Sequence, residues 1–272
     1  MKKFILIPSI MVVFIAVCAF GYKKIYERKT LPELNFDAAY YWVTESSVSG
    51  IWKYEENPAG YKYFLYLPPK YQNDKDNENA KLPLIVTFHG SCEKGKALSY
   101  GRFFTNQSFQ SQVFPDGAAV LVPQSRQDYF TDPHSMSLFI QNVIIRNKCI
   151  DKENIIGYGF SQGAKFVVEL ACTEPRLFKG VISGSGFYQI SKKELLSVLP
   201  ISFYFTTAAN DAGIFEQGSP TGKLCARFCK DSRYVEFPTR RHFFAELKDK
   251  TGITIDGKEE TLQDWIISVI NR

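Results

Sequence analysis

The sequence predicts an α/β fold: a mainly parallel sheet with an antiparallel hairpin at its N-terminal edge and helices on both faces. Three observations predict it. Short apolar runs at residues 82–88 and 118–122 have the unbroken hydrophobicity of strands covered on both sides. From residue 82 onward such runs alternate with segments of helical periodicity, the order that builds parallel sheets. The chain has 272 residues, 45% of them apolar, with 23 Phe and 15 Tyr, which is ample for a large core and excludes disorder as the main state.

Taken in order, residues 51–56 and 61–67 read as two strands. Asn57-Pro58-Ala59-Gly60 joins them, a turn with Pro and Gly where turn geometry wants them. Pro68-Pro69 ends the second strand, and the polar stretch 73–81 reads as a solvated loop. After the strands 82–88 and 118–122, Leu138, Val143 and Ile144 set a helical spacing within 135–147. A strand over 154–158 leads into a helix over 162–173, with Pro175 beyond its end. Strands follow at 180–183, 201–206 and 234–237. Helical segments lie around Lys192-Lys193-Glu194 and over 219–230 and 260–270. No repeat is visible, and no Pro/Gly/Ser-rich linker divides the chain after residue 50, so 51–272 is expected to be one domain preceded by an extension, 25–50. Only about 15 residues separate the strand ending near Gly186 from the one starting at Ile201, which leaves no room for a separate lid domain.

Residues 1–24 read as a targeting segment. Lys2-Lys3 precedes an apolar run over 4–20, which Pro8-Ser9 interrupts to leave an uninterrupted stretch over 10–20. That is short for a spanning helix, which needs about 20 residues, and fits an export signal. Val17 and Ala19 flank one candidate cleavage bond, Ala19 and Gly21 another. Lys23, Lys24, Arg28 and Lys29 beyond the run suit instead an uncleaved anchor that attaches the chain to a membrane through residues 4–20. Lipidation at Cys18 is a third reading, against which stands the bulk of Val17. Either main reading makes the protein exported: periplasmic, secreted or anchored.

The net charge of +5 is small, includes Lys2 and Lys3, and is not gathered on a helix face or arm, which argues against nucleic-acid binding. Three His limit any His-based metal site, and six Cys are too few for a disulfide scaffold. Behind the leader stand Cys92, Cys149, Cys172, Cys225 and Cys229, an odd number, so at least one stays free or pairs between chains. Cys225 and Cys229 share a face at helical spacing, where a bridge is awkward. They read as packed thiols, not as metal ligands. No metal and no cofactor is implied.

The chemistry lies in Gly159-Phe160-Ser161-Gln162-Gly163, a G-x-S-x-G motif with an apolar strand before it and a helix after it. A serine at so sharp a turn has a strained backbone, and its second neighbours must be small for strand and helix to approach. The turn lifts the hydroxyl above the sheet edge and puts the Gln162 N–H at a helix N-terminus, where developing negative charge is favoured. A serine hydroxyl needs a base, usually His held by a carboxylate, and on this architecture the chain order is Ser, acid, His. Only His242 follows Ser161. Asp211 sits just past the strand 201–206, at the sheet end where α/β proteins place catalytic groups. The second donor to a developing oxyanion should come from the loop after strand 82–88, His89-Gly90-Ser91-Cys92. The Ser91 N–H is the first choice and Cys92 the alternative. Ser161 also fits a helix N-cap, Asp211 a turn residue and His242 a surface His. The joint order and spacing favours the reactive assignment. His89 reads as a brace for its loop and His134 as a surface residue. Phe187, Tyr188, Ile214, Phe215 and the pair Tyr129-Phe130 are candidates for an acyl pocket or for core.

These residues resemble the α/β-hydrolase superfamily. Tyr63-Phe64-Leu65-Tyr66-Leu67-Pro68 and residues 82–95 are similar to the opening and oxyanion loop of the poly(3-hydroxybutyrate) depolymerase and feruloyl-esterase-like group. Gly159-Phe160-Ser161-Gln162-Gly163 resembles the elbow of the phospholipase/carboxylesterase and acyl-protein thioesterase group. Over about residues 50–270 the resemblance implies hydrolysis of an ester or thioester through an acyl-enzyme, with triad roles on Ser161, Asp211 and His242; the short connection before Ile201 suits an open site for a small or accessible ester. Two departures stand out: Gly163-Ala164 where a Gly pair is usual, and Arg241 where Gly usually precedes the His. The Arg240-Arg241 pair motivates the main competing reading, a catalytically silent binding or surface protein of this fold. A small peptidase of the same superfamily is the third.

Overall fold

Side chains alternate across each central strand, and here the alternation sorts apolar residues into two layers. A computed structural model describes residues 52–56, 61–91, 98–125, 127–238, 242, 253–255 and 258–272. The strands are β1 (Trp52–Glu56), β2 (Lys62–Tyr66), β3 (Leu82–Phe88), β4 (Ala119–Pro123), β5 (Ile150–Phe160), β6 (Gly180–Gly184), β7 (Ser202–Ala208) and β8 (Arg233–Phe237). They form one sheet in the order β1-β2-β4-β3-β5-β6-β7-β8. β1 pairs antiparallel with β2, and β2 antiparallel with β4. From β4 through β3 to β8 every pairing is parallel.

Leu84, Val86 and Phe88 of β3 face one layer, and Ile85 faces the other. The first layer is covered by α3 (Pro133–Arg146), α4 (Gln162–Thr173), α5 (Lys192–Val198) and α6 (Ile214–Phe228), through Phe139, Phe166, Val198 and Cys225. The second is covered by α1 (Leu98–Phe104), α2 (Gln107–Val113) and α7 (Leu262–Ile270), through Phe104, Phe109 and Trp265. A small antiparallel ribbon, β9 (Ile253–Ile255) with β10 (Lys258–Glu260), precedes α7. This is the predicted architecture. Between β6 and β7 only α5 intervenes, and no separate lid domain stands among the described residues.

Several boundaries differ from the expectation, each for a local reason. β5 starts at Ile150, not 154, because Leu82 pairs with Ile150 before the register jumps to Leu84 with Ile155. The charged residues Asp151, Lys152 and Glu153 bulge outward there, which masks the strand's apolar signature. α6 starts at Ile214, not 219, and holds Pro220 in its interior on the exposed face. The helices α1 and α2 lie in a stretch for which no element was expected. α2 is instead set by Asn106, whose side chain accepts the Ser108 and Phe109 N–H groups at 3.0 and 3.3 Å. Glu260 belongs to β10 and not to the last helix, where it accepts a bidentate pair of bonds from Arg233 at 2.6 and 3.2 Å.

Among the described residues no helix is long and apolar enough to cross a membrane. The leader 1–24, the extension 25–50, the Asn57–Gly60 turn, Cys92 and the Arg240-Arg241 pair lie outside the described residues.

α7 locks the far layer. Thr261 and Asp264 cap it reciprocally, and Trp265 is wholly buried, edge-on to Tyr204, with its indole N–H donating to the Asp231 carbonyl at 3.0 Å. Trp265→Ala should lower stability by about 3–5 kcal/mol. It should be read as a lower urea midpoint with an unchanged m-value.

Candidate active site

Ser161 joins β5 to α4 with φ 55° and ψ −117°, a backbone region that costs a non-glycine residue about 1–3 kcal/mol. Its N–H donates to the Gly184 carbonyl of β6 at 2.9 Å, and its own carbonyl accepts the Lys165 N–H at 3.0 Å. The side chain makes no capping bond to the helix, so the ordinary N-cap reading falls. The turn is as tight as the motif demands. A Cβ on Gly159 would come within 2.2 Å of the Gly163 carbonyl oxygen. One on Gly163 would meet the Phe88 carbonyl oxygen at 2.2 Å and that of His89 at 2.7 Å. The helix that follows Ser161 therefore abuts the end of β3 and the turn carrying Ser91, which is exposed. Gln162 is the first residue of α4. Ala164, where a second Gly was expected, has room because it faces Gly186, whose missing Cβ would lie 2.9 Å from the Ala164 methyl.

Asp211 follows β7 in a turn closed by its N–H on the Ala208 carbonyl at 3.0 Å, and its carbonyl accepts the Phe215 N–H at 2.8 Å, at the start of α6. It is 8% exposed. His242 Nδ1 lies 2.6 Å from Asp211 Oδ2. The imidazole rests against the Phe160 ring, with centroids 4.9 Å apart, and Phe160 is the residue directly before Ser161. Acid and histidine are thus paired, and the histidine packs on the elbow.

The other predicted residues divide. His89 is fully buried. Its Nδ1 lies 2.8 Å from the Gly90 carbonyl, and its Nε2 accepts the Ser125 N–H at 3.2 Å, so the proton sits on Nδ1. The Gln124 side chain adds a contact at 3.3 Å, and the ring packs on Phe130 at 4.7 Å. It braces the loop, as expected. Phe130 is core, between Phe88 and Phe166, whereas Tyr129 is exposed. Tyr188 donates to Glu194 at 2.6 Å and so serves the start of α5. Phe187, Ile214 and Phe215 are half-buried. His134, in the first turn of α3, faces solvent and pairs with Glu174 at 3.1 Å. The residue that sequence reasoning passed over is Phe160. Its only signal was its place as the variable residue before the serine.

Among the described residues no group of three or more His, Cys, Asp and Glu side chains is arranged to hold a metal ion. Cys225 and Cys229 are buried and hydrogen-bonded to one another. That bond, and then burial, raises the Cys225 thiol, and the same bond lowers Cys229.

Residues 123–198 match the family model of the phospholipases/carboxylesterases. No curated protein matches the sequence. Among solved structures, a thermostable esterase superposes with a TM-score of 0.56 at 18% identity, over 81% of this chain and 60% of that one. The chain thus spans less than two thirds of that relative's length. A CE1 ferulic acid esterase from Anaeromyces mucronatus, in complex with ferulic acid, superposes at 0.55 with 16% identity, over 72% and 85%. The substrate-bound fluorophosphonate-binding serine hydrolase F of Staphylococcus aureus superposes at 0.53 with 12% identity, over 72% and 92%. The fold is that of the α/β-hydrolases. In an α/β-hydrolase the strand order found here puts the C-terminal ends of β3, β5 and β7 on one rim, and these are the ends that carry Ser91, Ser161 and Asp211.

Burial raises the thiol of Cys172, near the end of α4, to about 12, with the neighbouring Glu194 adding to it. At pH 8 only about one Cys172 in 10,000 should be thiolate. Native protein should therefore alkylate at Cys172 with iodoacetamide far more slowly than protein unfolded in urea, as read by mass spectrometry of the peptide.

Proposed function

We propose that the protein is a serine hydrolase that cleaves small carboxylic esters or thioesters through an acyl-enzyme. The observation that carries this reading is the Asp211–His242 hydrogen bond, made by an imidazole that packs on the residue before Ser161. With Nδ1 engaged by the carboxylate, the Nε2 lone pair is the basic one. His242 takes the Ser161 proton, and Ser161 attacks the ester carbonyl. The Gln162 and Ser91 N–H groups receive the oxyanion, each worth roughly 3–4 kcal/mol of barrier. Asp211 orients His242 and stabilises its cation. His242 then protonates the leaving alcohol or thiol, and water enters by the same route to release the acid. The family match over residues 123–198 and the esterases among the structural neighbours support the reaction class. The short β6–β7 connection supports an accessible site. The leader 1–24 supports export, either cleaved or kept as an anchor.

Ser161→Ala should abolish hydrolysis of p-nitrophenyl acyl esters while leaving far-ultraviolet circular dichroism and Tm unchanged; surviving activity overturns the assignment. Asp211→Asn should lower kcat by about 10³–10⁴-fold, because the imidazole loses the carboxylate that fixes its tautomer. A fluorophosphonate probe separates the catalytically silent alternative: labelling at Ser161 needs a working base, so an unlabelled wild-type protein sinks the esterase reading.

A further inference from the structure

Tyr234 lies on β8, the strand that runs toward His242, and its phenol oxygen joins three elements. The Thr207 hydroxyl of β7 and the Ser219 hydroxyl of α6 each lie 2.8 Å from it. The phenol donates to the Glu236 carboxylate at 3.0 Å. A phenol has one proton and two lone pairs. With the proton on Glu236, both lone pairs face Thr207 and Ser219, so those hydroxyls are the donors and the phenol's capacity is filled. Thr207 and Ser219 are 3% and 4% exposed, so losing their acceptor would leave two buried O–H groups unsatisfied. The ring is held as well. A Cβ on Gly222 would come 2.6 Å from it, so α6 lies directly on its face. Lys223 stands over the ring at 5.3 Å and pairs with Glu236 at 3.7 Å. Burial raises the phenol above its ordinary range, with Glu236 adding to that, which keeps it protonated at neutral pH.

Asp211 lies in the segment between the two anchors, Thr207 before it and Ser219 after it. The same segment is tied to the end of β8 by the Ala209 N–H on the Phe237 carbonyl at 3.0 Å. One oxygen thus clamps both ends of the acid-bearing segment to the strand that leads to the histidine. We propose that Tyr234 is a positioning residue for the Asp211–His242 pair, acting through Thr207 and Ser219. Its kinetic consequence rests on the esterase reading; its effect on the pair does not.

The test compares full-length wild type with Tyr234→Phe, which keeps the ring and removes the oxygen. The readouts are the low-field proton resonance of the Asp211–His242 hydrogen bond, assigned by its loss in Asp211→Asn, and steady-state kinetics on p-nitrophenyl acetate. The clamp predicts a resonance that broadens or exchanges at least about fivefold faster, and a kcat about tenfold lower with KM unchanged. Ser219→Ala, which keeps Tyr234 whole and removes one anchor, should show smaller changes of the same sign. An unchanged resonance and unchanged kcat in folded Tyr234→Phe overturn the proposal. If that variant does not fold, the same null result in Ser219→Ala overturns it. A wild-type protein without the resonance overturns it too. If wild type has the resonance but cleaves no ester, the esterase reading fails and the resonance comparison still decides the clamp.

Discussion

The contact between the end of β5, the first turn of α4 and the end of β3 is the constraint on which the site depends. No side chain fits between these backbones: a Cβ on Gly159 or Gly163 would lie 2.2 Å from a carbonyl oxygen. Such an approach is what lets the chain reverse from strand to helix in one residue, and that residue, Ser161, takes the strain. The strain is held by two backbone hydrogen bonds, one to β6 and one within α4. The same economy of volume passes outward. Ala164 fits because Gly186 faces it, and Gly186 is in turn covered by Gly218 of α6, where a Cβ would come within 1.9 Å of the Gly186 carbonyl oxygen. A chain of small residues thus seats α4 and α6 against the rim that carries Ser161 and Asp211. The alanine that departs from the family pattern is part of that fit.

The three histidines show how environment assigns different work to one side chain. His89 is buried, and its ring nitrogens meet backbone and side-chain groups of its own loop and of the loop after β4. It holds the turn in which Ser91 lies. His134 stands in solvent beside Glu174 at the start of α3, where an exposed pair is worth little. His242 is exposed, carries a buried carboxylate on Nδ1 and packs one face on Phe160. Only the last pairs with a buried carboxylate and packs on the residue before Ser161. The three buried or half-buried cysteines near the ends of α4 and α6 behave differently. They pack into the first apolar layer; burial suppresses ionisation at Cys172, and the bond with Cys229, then burial, does so at Cys225.

The order of strands and helices was legible because apolar runs and helical spacing are local signals, and so was the elbow, because its steric demand falls on residues two apart. The chain order Ser161, Asp211, His242 likewise picked out an acid and a histidine that the structure pairs. What a linear pattern cannot carry is any contact whose partners are far apart. The strand order β1-β2-β4-β3-β5-β6-β7-β8 follows from which edges pair, and the charged bulge at Asp151–Glu153 hid the start of β5 because outward-facing residues mute the hydrophobic signal. Ser219 was expected to open the helix, but α6 starts at Ile214 and holds Pro220 in its interior. On the exposed face of α6 it is tolerated. By itself, then, the sequence determined the layers, the sharp strand-to-helix turn at Ser161 and the set of candidate groups, since each is written in neighbouring residues. The tertiary structure alone decided that Asp211 meets His242, that Phe160 supports it and that Tyr234 ties β7 to α6, because those contacts join residues 15 to 82 positions apart, and only packing brings them within hydrogen-bond or ring-contact distance.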